Sequence, residues 1–207
     1  MNAKWERKTL GEICTLISRG ISPKYIEGGG ICVLNQKCIR EHKVNVLLGR
    51  RHDNIAKSVK DERLVILGDV LVNSTGTGTL GRVAQVREEL AEPTTVDSHV
   101  TIVRPNPEIF YLDYFGYLLI AIEDKLKEAG EGASGQTELS RKDIANEFYV
   151  SYPVSKEEQK IIVRKLDVGF QQIANAELIT KNKLLLLEEL KDTLLNESLN
   201  ANMLECY

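Results

Sequence analysis

The chain has 207 residues, of which 43% are hydrophobic and 28% charged, a balance typical of a folded globular protein and not of a disordered one. Its formal net charge of −3 argues against a nucleic-acid-binding protein when only the total is considered. The charge is unevenly distributed, however, because residues 1–60 carry 12 basic and 5 acidic side chains whereas the remaining residues carry 15 and 25. The N-terminal part therefore remains a candidate surface for an anionic partner.

The sequence shows no sign of secretion, membrane insertion or a metal site. The N-terminus has no apolar signal core, and the longest apolar stretches, near residues 118–122 and 184–187, are far shorter than the roughly 20 residues of a membrane span. The cysteines form no CxxC pair and have no histidine at zinc spacing; they are Cys14, Cys32, Cys38 and Cys206. We therefore expect a cytoplasmic protein with free thiols and no bound metal.

Short, mixed elements are predicted as far as residue 153. Apolar segments separated by glycine, proline and asparagine predict β-strands, at residues 31–34, 64–67, 69–72, 81–86 and 99–103. One helix is predicted over residues 111–129, where Gly130 ends it. A second, short helix is predicted to begin at Ser140, because Ser140 and Asp143 have the spacing of an N-cap residue and position N3. Since strands do not alternate regularly with helices, the sequence predicts an α+β fold with a mixed or antiparallel sheet.

After Pro153 the sequence becomes helical almost to its end. Ser155 and Glu158 have the spacing of a capping box, and leucine and isoleucine then recur at helical spacing. We therefore divide the chain into a globular domain, residues 1–153, and a helical region, residues 154–207. A helix of roughly 45 to 50 residues would extend about 70 Å, too far for a domain of this size to cover. The alternative is two shorter helices that pack back on the domain, with a hinge near residues 167–169.

A long helix with an apolar stripe requires a partner helix from its own copy or from another subunit. We therefore predict an intermolecular coiled coil. The residues predicted to line this dimer interface are Leu166, Phe170, Ile173, Leu184, Leu187, Leu190 and Leu194.

Three patterns imitate catalytic or nucleotide-binding sites. Residues 76–81 match G-x-G-x-x-G, but the segment that follows them predicts a strand and not the helix whose N-terminus would hold a pyrophosphate. Residues 97–99 are Asp-Ser-His, but consecutive side chains of an extended segment point to opposite faces and cannot form a triad. The acidic-x-Lys pattern at residues 123–125 is expected on the solvated face of a helix. The sequence thus predicts no catalytic site.

The basic N-terminal part also contains asparagine and glutamine. These side chains, with arginine, read base edges, whereas lysine, arginine and backbone amides hold phosphates. Many protein surfaces carry such residues, so this composition by itself does not identify a DNA-binding protein.

Several segments, taken together and in order, resemble the specificity subunit of type I restriction–modification enzymes. They are Leu-Gly-Glu-Ile at 10–13 with Ser-Arg-Gly at 18–20, the segments 73–83, 96–100 and 132–140, and the junction 152–167 with its Glu-Glu-Gln and Lys-Leu-Asp. The family usually has two or three prolines at this junction, whereas this chain has only Pro153.

The resemblance implies a target-recognition domain that binds one half of a bipartite DNA sequence, followed by a conserved helical region. A full-length member carries two such units in tandem, with antiparallel helices; here each motif occurs once, which implies a half-length subunit that pairs with a second copy or another half-subunit. The implied partners are double-stranded DNA, methyltransferase subunits that bring S-adenosylmethionine, and a restriction subunit that uses ATP and Mg²⁺. No cofactor is expected on this chain, which would be non-catalytic.

The residues expected to contact DNA on this basis are Arg19, Lys24, Asn35, Gln36, Lys37, Arg40, Thr75, Thr77, Arg82 and Gln136. The alternative for the glycine turns is that shared motif residues shape the loops while other positions read the bases. Two alternatives to a half-subunit that directs methylation also remain: a truncated product that acts as a regulatory or inert pairing partner, and an independent small methyltransferase or nucleotide-dependent enzyme.

Overall fold

The computed structural model describes residues 4–130 and 138–204, with side chains through residue 199. The chain divides into two compact units, residues 1–163 and residues 164–207. The strands are β1 Trp5–Thr9, β2 Cys14–Arg19, β3 Tyr25–Ile26, β4 Ile31–Leu34, β5 Ile39–Arg40, β6 Lys43–Val44, β7 Arg50–His52, β8 Val70–Asn73, β9 Val83–Gln85, β10 Thr94–Val96, β11 Val100–Pro105 and β12 Tyr149–Pro153. The α-helices are α1 Leu10–Ile13, α2 Leu112–Ala121, α3 Glu123–Gly130, α4 Arg141–Asn146 and α5 Lys156–Leu204.

An antiparallel sheet of order β2-β11-β8-β9 lies in the middle of the first unit. Its β8 strand is buried on both faces, and the side chains alternate between two hydrophobic clusters as the period of two requires. Val70 and Val72 belong to the cluster that contains the buried residues of α1 to α4. Leu71, between them, belongs to the cluster that contains Leu34 of β4 and Val96 of β10. The sheet therefore separates a layer of helices from a second sheet.

The second sheet has the order β10-β4-β7-β3. Strands β10 and β4 are parallel, whereas β7 pairs antiparallel with both β4 and β3. Two further antiparallel pairs, β1 with β12 and β5 with β6, complete the unit. The predicted α+β fold with mixed and antiparallel sheets is thus confirmed.

Two predicted elements differ from the structure. Residues 64–67 form a bend and a turn after a 3₁₀-helix at Asp61–Arg63, so the predicted strand is wrong. The segment is held by side chains, because Arg104 donates to the Leu64 carbonyl and Asp69 accepts from the Ile66 amide. The helix predicted over residues 111–129 is two helices, α2 and α3, that meet at Ile122, whose ψ of 8° leaves the helical region. The Ile122 side chain is buried in the core, and the free energy gained from this packing offsets the cost of interrupting the helix.

The short helix and both caps agree with the prediction. The Ser140 hydroxyl accepts from the Asp143 amide, and the Asp143 carboxylate accepts from the Ser140 amide. The Ser155 hydroxyl accepts from the Glu158 amide at the beginning of α5. Helix α5 is continuous through residues 167–169, so the long helix is confirmed and the alternative of two hinged helices is wrong.

The first two turns of α5 belong to the first unit. Gln159 is fully buried and makes three hydrogen bonds with the main chain. Its Oε1 atom accepts from the Tyr111 amide at 2.8 Å, and its Nε2 atom donates to the carbonyls of Pro153 and Ile109 at 2.9 and 3.1 Å. Gln159 therefore attaches the start of α5 both to β12 and to the segment that begins α2.

Candidate nucleic-acid interface

Strand direction brings several loops to one end of the two sheets. In the register of the central sheet, Arg19 at the end of β2 pairs with Thr101, and Asn73 at the end of β8 pairs with Val100. In the second sheet, β4 and β10 run parallel and end at Leu34 and Val96. A parallel bridge between Ile21 and Asp97 joins the two sheets there. We call the surface formed by residues 19–21, 35–42, 74–82 and 97–99 the loop face.

The glycine-rich turn of the loop face is tightly held. Gln36 donates through Nε2 to the carbonyl and hydroxyl oxygens of Thr75, at 2.5 and 2.9 Å, and the Thr75 hydroxyl lies 2.7 Å from His99 Nδ1. Arg82 donates to the Gly78 carbonyl at 2.8 Å. A Cβ atom at Gly81, where φ is +76°, would lie 2.5 Å from the Lys127 amide nitrogen. The turn leads into β9 and not into a helix, so it lacks the geometry of a dinucleotide-binding loop.

Arg19 has a structural role within the loop face. Its guanidinium forms an ion pair with Glu138 at 2.6 Å and donates to the carbonyls of Ser74 and Leu139. It thereby joins the end of β2 to the loop after β8 and to the segment before α4. These contacts use the groups with which Arg19 was expected to contact DNA. Its Nε atom is buried and has no partner among the described residues.

The remaining predicted DNA contacts divide into two kinds. Asn35 accepts from the Lys37 amide and, like Gln36, Thr75 and Arg82, stabilises a loop. By contrast, three side chains are exposed and have no hydrogen-bond or ion-pair partner within the described part of the chain; they are Lys37, Thr77 and Arg40.

One predicted contact, Lys24, lies away from the loop face. Lys24 precedes β3, which pairs with β7 at His52, and the first residue of β4, Ile31, pairs with the same histidine. Lys24 is therefore at the opposite end of β4 from Asn35, where its Nζ atom lies 3.4 Å from Asp53 Oδ2. Gln136 lies outside the described residues.

The β5–β6 hairpin adds a cleft to the loop face. Its two turn residues, Glu41 and His42, both have left-handed backbone conformations, with φ of +49° and +58°. The open cleft beside it has a volume of about 350 Å³. It is lined by Arg40, Glu41, His42, Arg82, Val83, Glu123 and Lys127. This hairpin is not predicted from the sequence, because its strands have two residues each and its turn contains no glycine, asparagine or aspartate.

The partly buried carboxylate of Glu123 organises this cleft. It accepts from the Val83 amide at 2.9 Å and lies 3.3 Å from His42 Nε2 and 2.6 Å from Lys127 Nζ. Hydrogen bonding and charge attraction from Glu123 raise the pKa of Lys127, so this lysine remains a cation. Glu123 thus belongs to a structural network that joins the hairpin tip to the start of β9. The predicted solvated helix face is wrong for Glu123, whereas Asp124 and Lys125 are exposed.

A second polar network supports the loop that contains residues 97–99. Asp97 is buried and accepts from the His99 amide at 2.9 Å. Burial raises the pKa of Asp97, and the His99 amide and nearby cations oppose this shift. The guanidinium of Arg50 lies 3.4 Å from the centre of the Tyr25 ring, and Tyr25 and Arg50 are among the groups that oppose the rise in the Asp97 pKa. These contacts give the 97–99 segment a structural role in place of a catalytic one.

The described residues contain no group of three or more His, Cys, Asp or Glu side chains placed to hold a metal ion. Burial raises the pKa of the Cys14 thiol to about 12, which disfavours the thiolate required of a nucleophile. Across the same residues, no helix combines the length and apolar character required to cross a membrane.

The second unit carries a different candidate surface, on the part of α5 that begins at Arg164. Six of the seven predicted dimer-interface residues have relative exposures between 50% and 61%; they are Phe170, Ile173, Leu184, Leu187, Leu190 and Leu194. Leu166 is partly buried. Large apolar side chains exposed in a row along a helix are typical of a protein-interaction surface.

Comparison with known proteins gives both a family and a fold. Residues 2–189 match the family model described as the type I restriction modification DNA specificity domain, whereas no curated protein matched the chain. The HsdS subunit from Thermoanaerobacter tengcongensis matches with a TM-score of 0.60 and 22% identity, over 82% of this chain and 38% of that one.

Two further solved structures agree. One, described as the structural basis of complex assembly and conformational transition of the type I R-M system, has a TM-score of 0.63, 22% identity and coverage of 84% of this chain and 40% of that chain. The type I S subunit from M. genitalium has a TM-score of 0.55, 20% identity and coverage of 82% and 40%. This chain thus spans about 40% of the length of these structures. It belongs to the family of type I restriction modification DNA specificity domains.

Proposed function

We propose that the chain is a DNA sequence-recognition subunit of a type I restriction–modification system, and that it acts without catalytic activity of its own. The observation that carries this proposal is the loop face, where hydrogen-bonded loops present free cationic side chains at one end of two sheets. Lys37 and Arg40 are available for phosphates and bases, while Gln36, Thr75 and Arg82 keep the loops in shape. Rigid loops reduce the ordering cost of binding, and phosphate contacts fix the register in which bases are read.

The chain would read one half of a bipartite target. In this proposal a single recognition domain binds one half-site, and the exposed stripe of α5 pairs with the same helix of a second copy in an antiparallel coiled coil. A contact made mainly of leucine and isoleucine would supply the hydrophobic stabilisation of such a pair. The helix pair would hold two recognition domains at a fixed separation and thus set the length of the unspecified spacer between half-sites.

The chemistry would come from other subunits. The paired chains would dock methyltransferase subunits that bind S-adenosylmethionine and flip the target base out of the duplex. A restriction subunit would add cleavage that depends on ATP and Mg²⁺. No cofactor is assigned to this chain, and the complex would act in the cytoplasm, where the DNA is.

Methylome sequencing tests the proposal most directly. Cells without endogenous methylation would express the chain with its methyltransferase subunit, and cells with the methyltransferase alone would serve as the control. A symmetric pair of identical chains implies a palindromic bipartite motif with a fixed spacer. A single asymmetric motif would indicate pairing with a different half-subunit.

The length of the chain, about 40% of the solved structures, also suits a truncated product that pairs with a full subunit without directing methylation. The same experiment distinguishes this second candidate. Absence of any methylated motif beside an active methyltransferase would favour it over the first.

A further inference from the structure

The tip of the β5–β6 hairpin combines a free cation and a free anion on adjacent residues. Arg40 and Glu41 are both exposed, and neither has a hydrogen-bond or ion-pair partner within the described residues. The neighbouring side chains of the cleft are mainly basic: Arg82 and Lys127 line it together with His42. A carboxylate beside several cations normally pairs with one of them, so the free Glu41 side chain requires an explanation.

The left-handed backbone conformation at Glu41 makes glutamate an unexpected residue at this position. A two-residue turn with both residues in the left-handed region favours Asn-Gly or Asp-Gly, since a Cβ atom disfavours this conformation. The chain instead has Glu41 and His42 there. His42 is accounted for, because its Nε2 atom contacts Glu123 and so fixes the hairpin tip against α3 and β9. Glu41 contributes nothing comparable to the fold.

The charge of Glu41 is also unfavourable at a surface that faces phosphates. It becomes favourable where it accepts a hydrogen bond from a base, and glutamate is the side chain that accepts from the N4 amino group of cytosine in the major groove. Arginine donates to O6 and N7 of guanine, and a two-stranded ribbon is narrow enough to enter this groove.

We propose that the β5–β6 hairpin enters the major groove and reads a G·C-containing step, with Arg40 donating to guanine and Glu41 accepting from cytosine. This inference rests on the proposed function and names the specificity-determining residues of the same face. Arg82 is already occupied with the Gly78 carbonyl, and Glu123 neutralises Lys127. Arg40 and Glu41 are therefore the charged residues of the cleft lining that have no partner within the described part of the chain.

The test is selection of bound sequences from a library of random double-stranded DNA by the purified full-length chain, followed by affinity measurements on the selected sequence and on an unrelated duplex. For Glu41→Ala we expect roughly tenfold or greater weakening on the selected sequence, with loss of the cytosine preference at one position. Binding to the unrelated duplex should stay the same or strengthen, since one negative charge is removed. Glu41→Gln should shift the preference at that position from cytosine toward adenine, which glutamine reads through N6 and N7.

Two further variants complete the design. Glu41→Asn retains a residue that tolerates the left-handed turn, so its loss of specificity cannot be attributed to the backbone. Glu62→Ala removes an exposed carboxylate from the 3₁₀-helix at Asp61–Arg63 and should leave the selected sequence unchanged. Unaltered base preference in all three Glu41 variants, with tighter binding to both duplexes, would overturn the inference while leaving DNA recognition intact. Failure of the unsubstituted chain to select any sequence would overturn both.

Discussion

Replacement of Gln159 by alanine tests how the first turns of α5 are held within the first unit. The Gln159 side chain is fully buried in the first turns of α5 and bonds three main-chain groups, at Tyr111, Ile109 and Pro153. Alanine retains the helical backbone, and its helix propensity is slightly better than that of glutamine. The substitution therefore removes the hydrogen bonds without disturbing the local conformation of α5.

The expected cost follows from those three bonds. A buried hydrogen bond contributes about 1 kcal/mol net, and a buried group left without a partner costs about 1 to 3 kcal/mol. Three lost bonds thus predict a decrease of about 3 kcal/mol in the free energy of unfolding. For a domain of this size, such a decrease corresponds to a Tm lower by roughly 6 to 12 °C.

Urea unfolding at a fixed chain concentration measures this change, because any self-association would make stability depend on concentration. Fluorescence of the single tryptophan, Trp5, reports on the same region, since Trp5 pairs with Pro153 in the β1–β12 ladder. The matched control is Gln172→Ala, an exposed position on the same helix, for which we expect a change below about 0.5 kcal/mol. A Gln159→Ala effect no larger than that of the control would refute the role assigned to Gln159.

Three other predictions concern the helix stripe, a buried ion pair and a partly buried thiol. Leu187→Glu should weaken self-association roughly tenfold or more in light scattering, because it places a charge in the helix–helix contact. The control Asn182→Glu lies about 140° around the helix from Leu187 and should not weaken self-association. Equal molecular masses for the two variants would contradict this prediction. Arg104 Nε lies 2.8 Å from Asp69 Oδ1, so Asp69→Asn leaves Arg104 without its counter-charge and should lower the free energy of unfolding by about 3 kcal/mol. A urea midpoint near that of the unsubstituted chain would contradict this prediction. Burial raises the pKa of Cys14 from 9.0 to about 12, so the unfolded chain releases this proton first and stability should fall as the pH rises above 9. At pH 8, alkylation of folded Cys14, followed by mass spectrometry, should be about a thousandfold slower than alkylation in urea. Equal alkylation rates would contradict the pKa shift.

Periodicity and capping predicted the longer elements because these depend on local sequence. Strand β8, the Ser140 cap and the continuous α5 all follow from spacing along the chain. Strands β1 and β12 were not predicted, since Trp5–Thr9 and Tyr149–Pro153 are weakly patterned and become strands by pairing with each other across more than 140 residues of sequence. Residues 64–67 are the opposite case, because they are apolar enough for a strand but do not form one. Arg104 donates to the Leu64 carbonyl, and Asp69 accepts from the Ile66 amide.

The structure brings together most of the segments that the sequence proposes for DNA contact, whereas the contacts of individual residues with DNA stay predictions. Sequence reasoning identified the segments that meet at the loop face, because family motifs and glycine turns lie in loops. It could not distinguish a side chain that binds a loop from one that binds DNA. Gln36 and Arg82 have base-reading chemistry, but the amide of Gln36 is used by Thr75 and the guanidinium of Arg82 by Gly78. That distinction depends on distances between segments that are remote in sequence.

The separation of loop-supporting residues from residues with unused polar groups bears on how such a domain can vary its target. Residues that hydrogen-bond to a neighbouring loop, such as Arg19 with the Ser74 and Leu139 carbonyls, cannot change without loss of the loop's position. Residues with exposed and unused groups, such as Lys37 and Glu41, can change at little cost to stability, because surface substitutions usually alter it by less than about 0.5 kcal/mol. Under the proposed function, specificity would therefore be altered at the hairpin tip and the free loop positions while the supporting network stays the same. If instead substitution of Gln36 changed the preferred bases without lowering the stability of the domain, the assignment of a supporting role to it would be wrong.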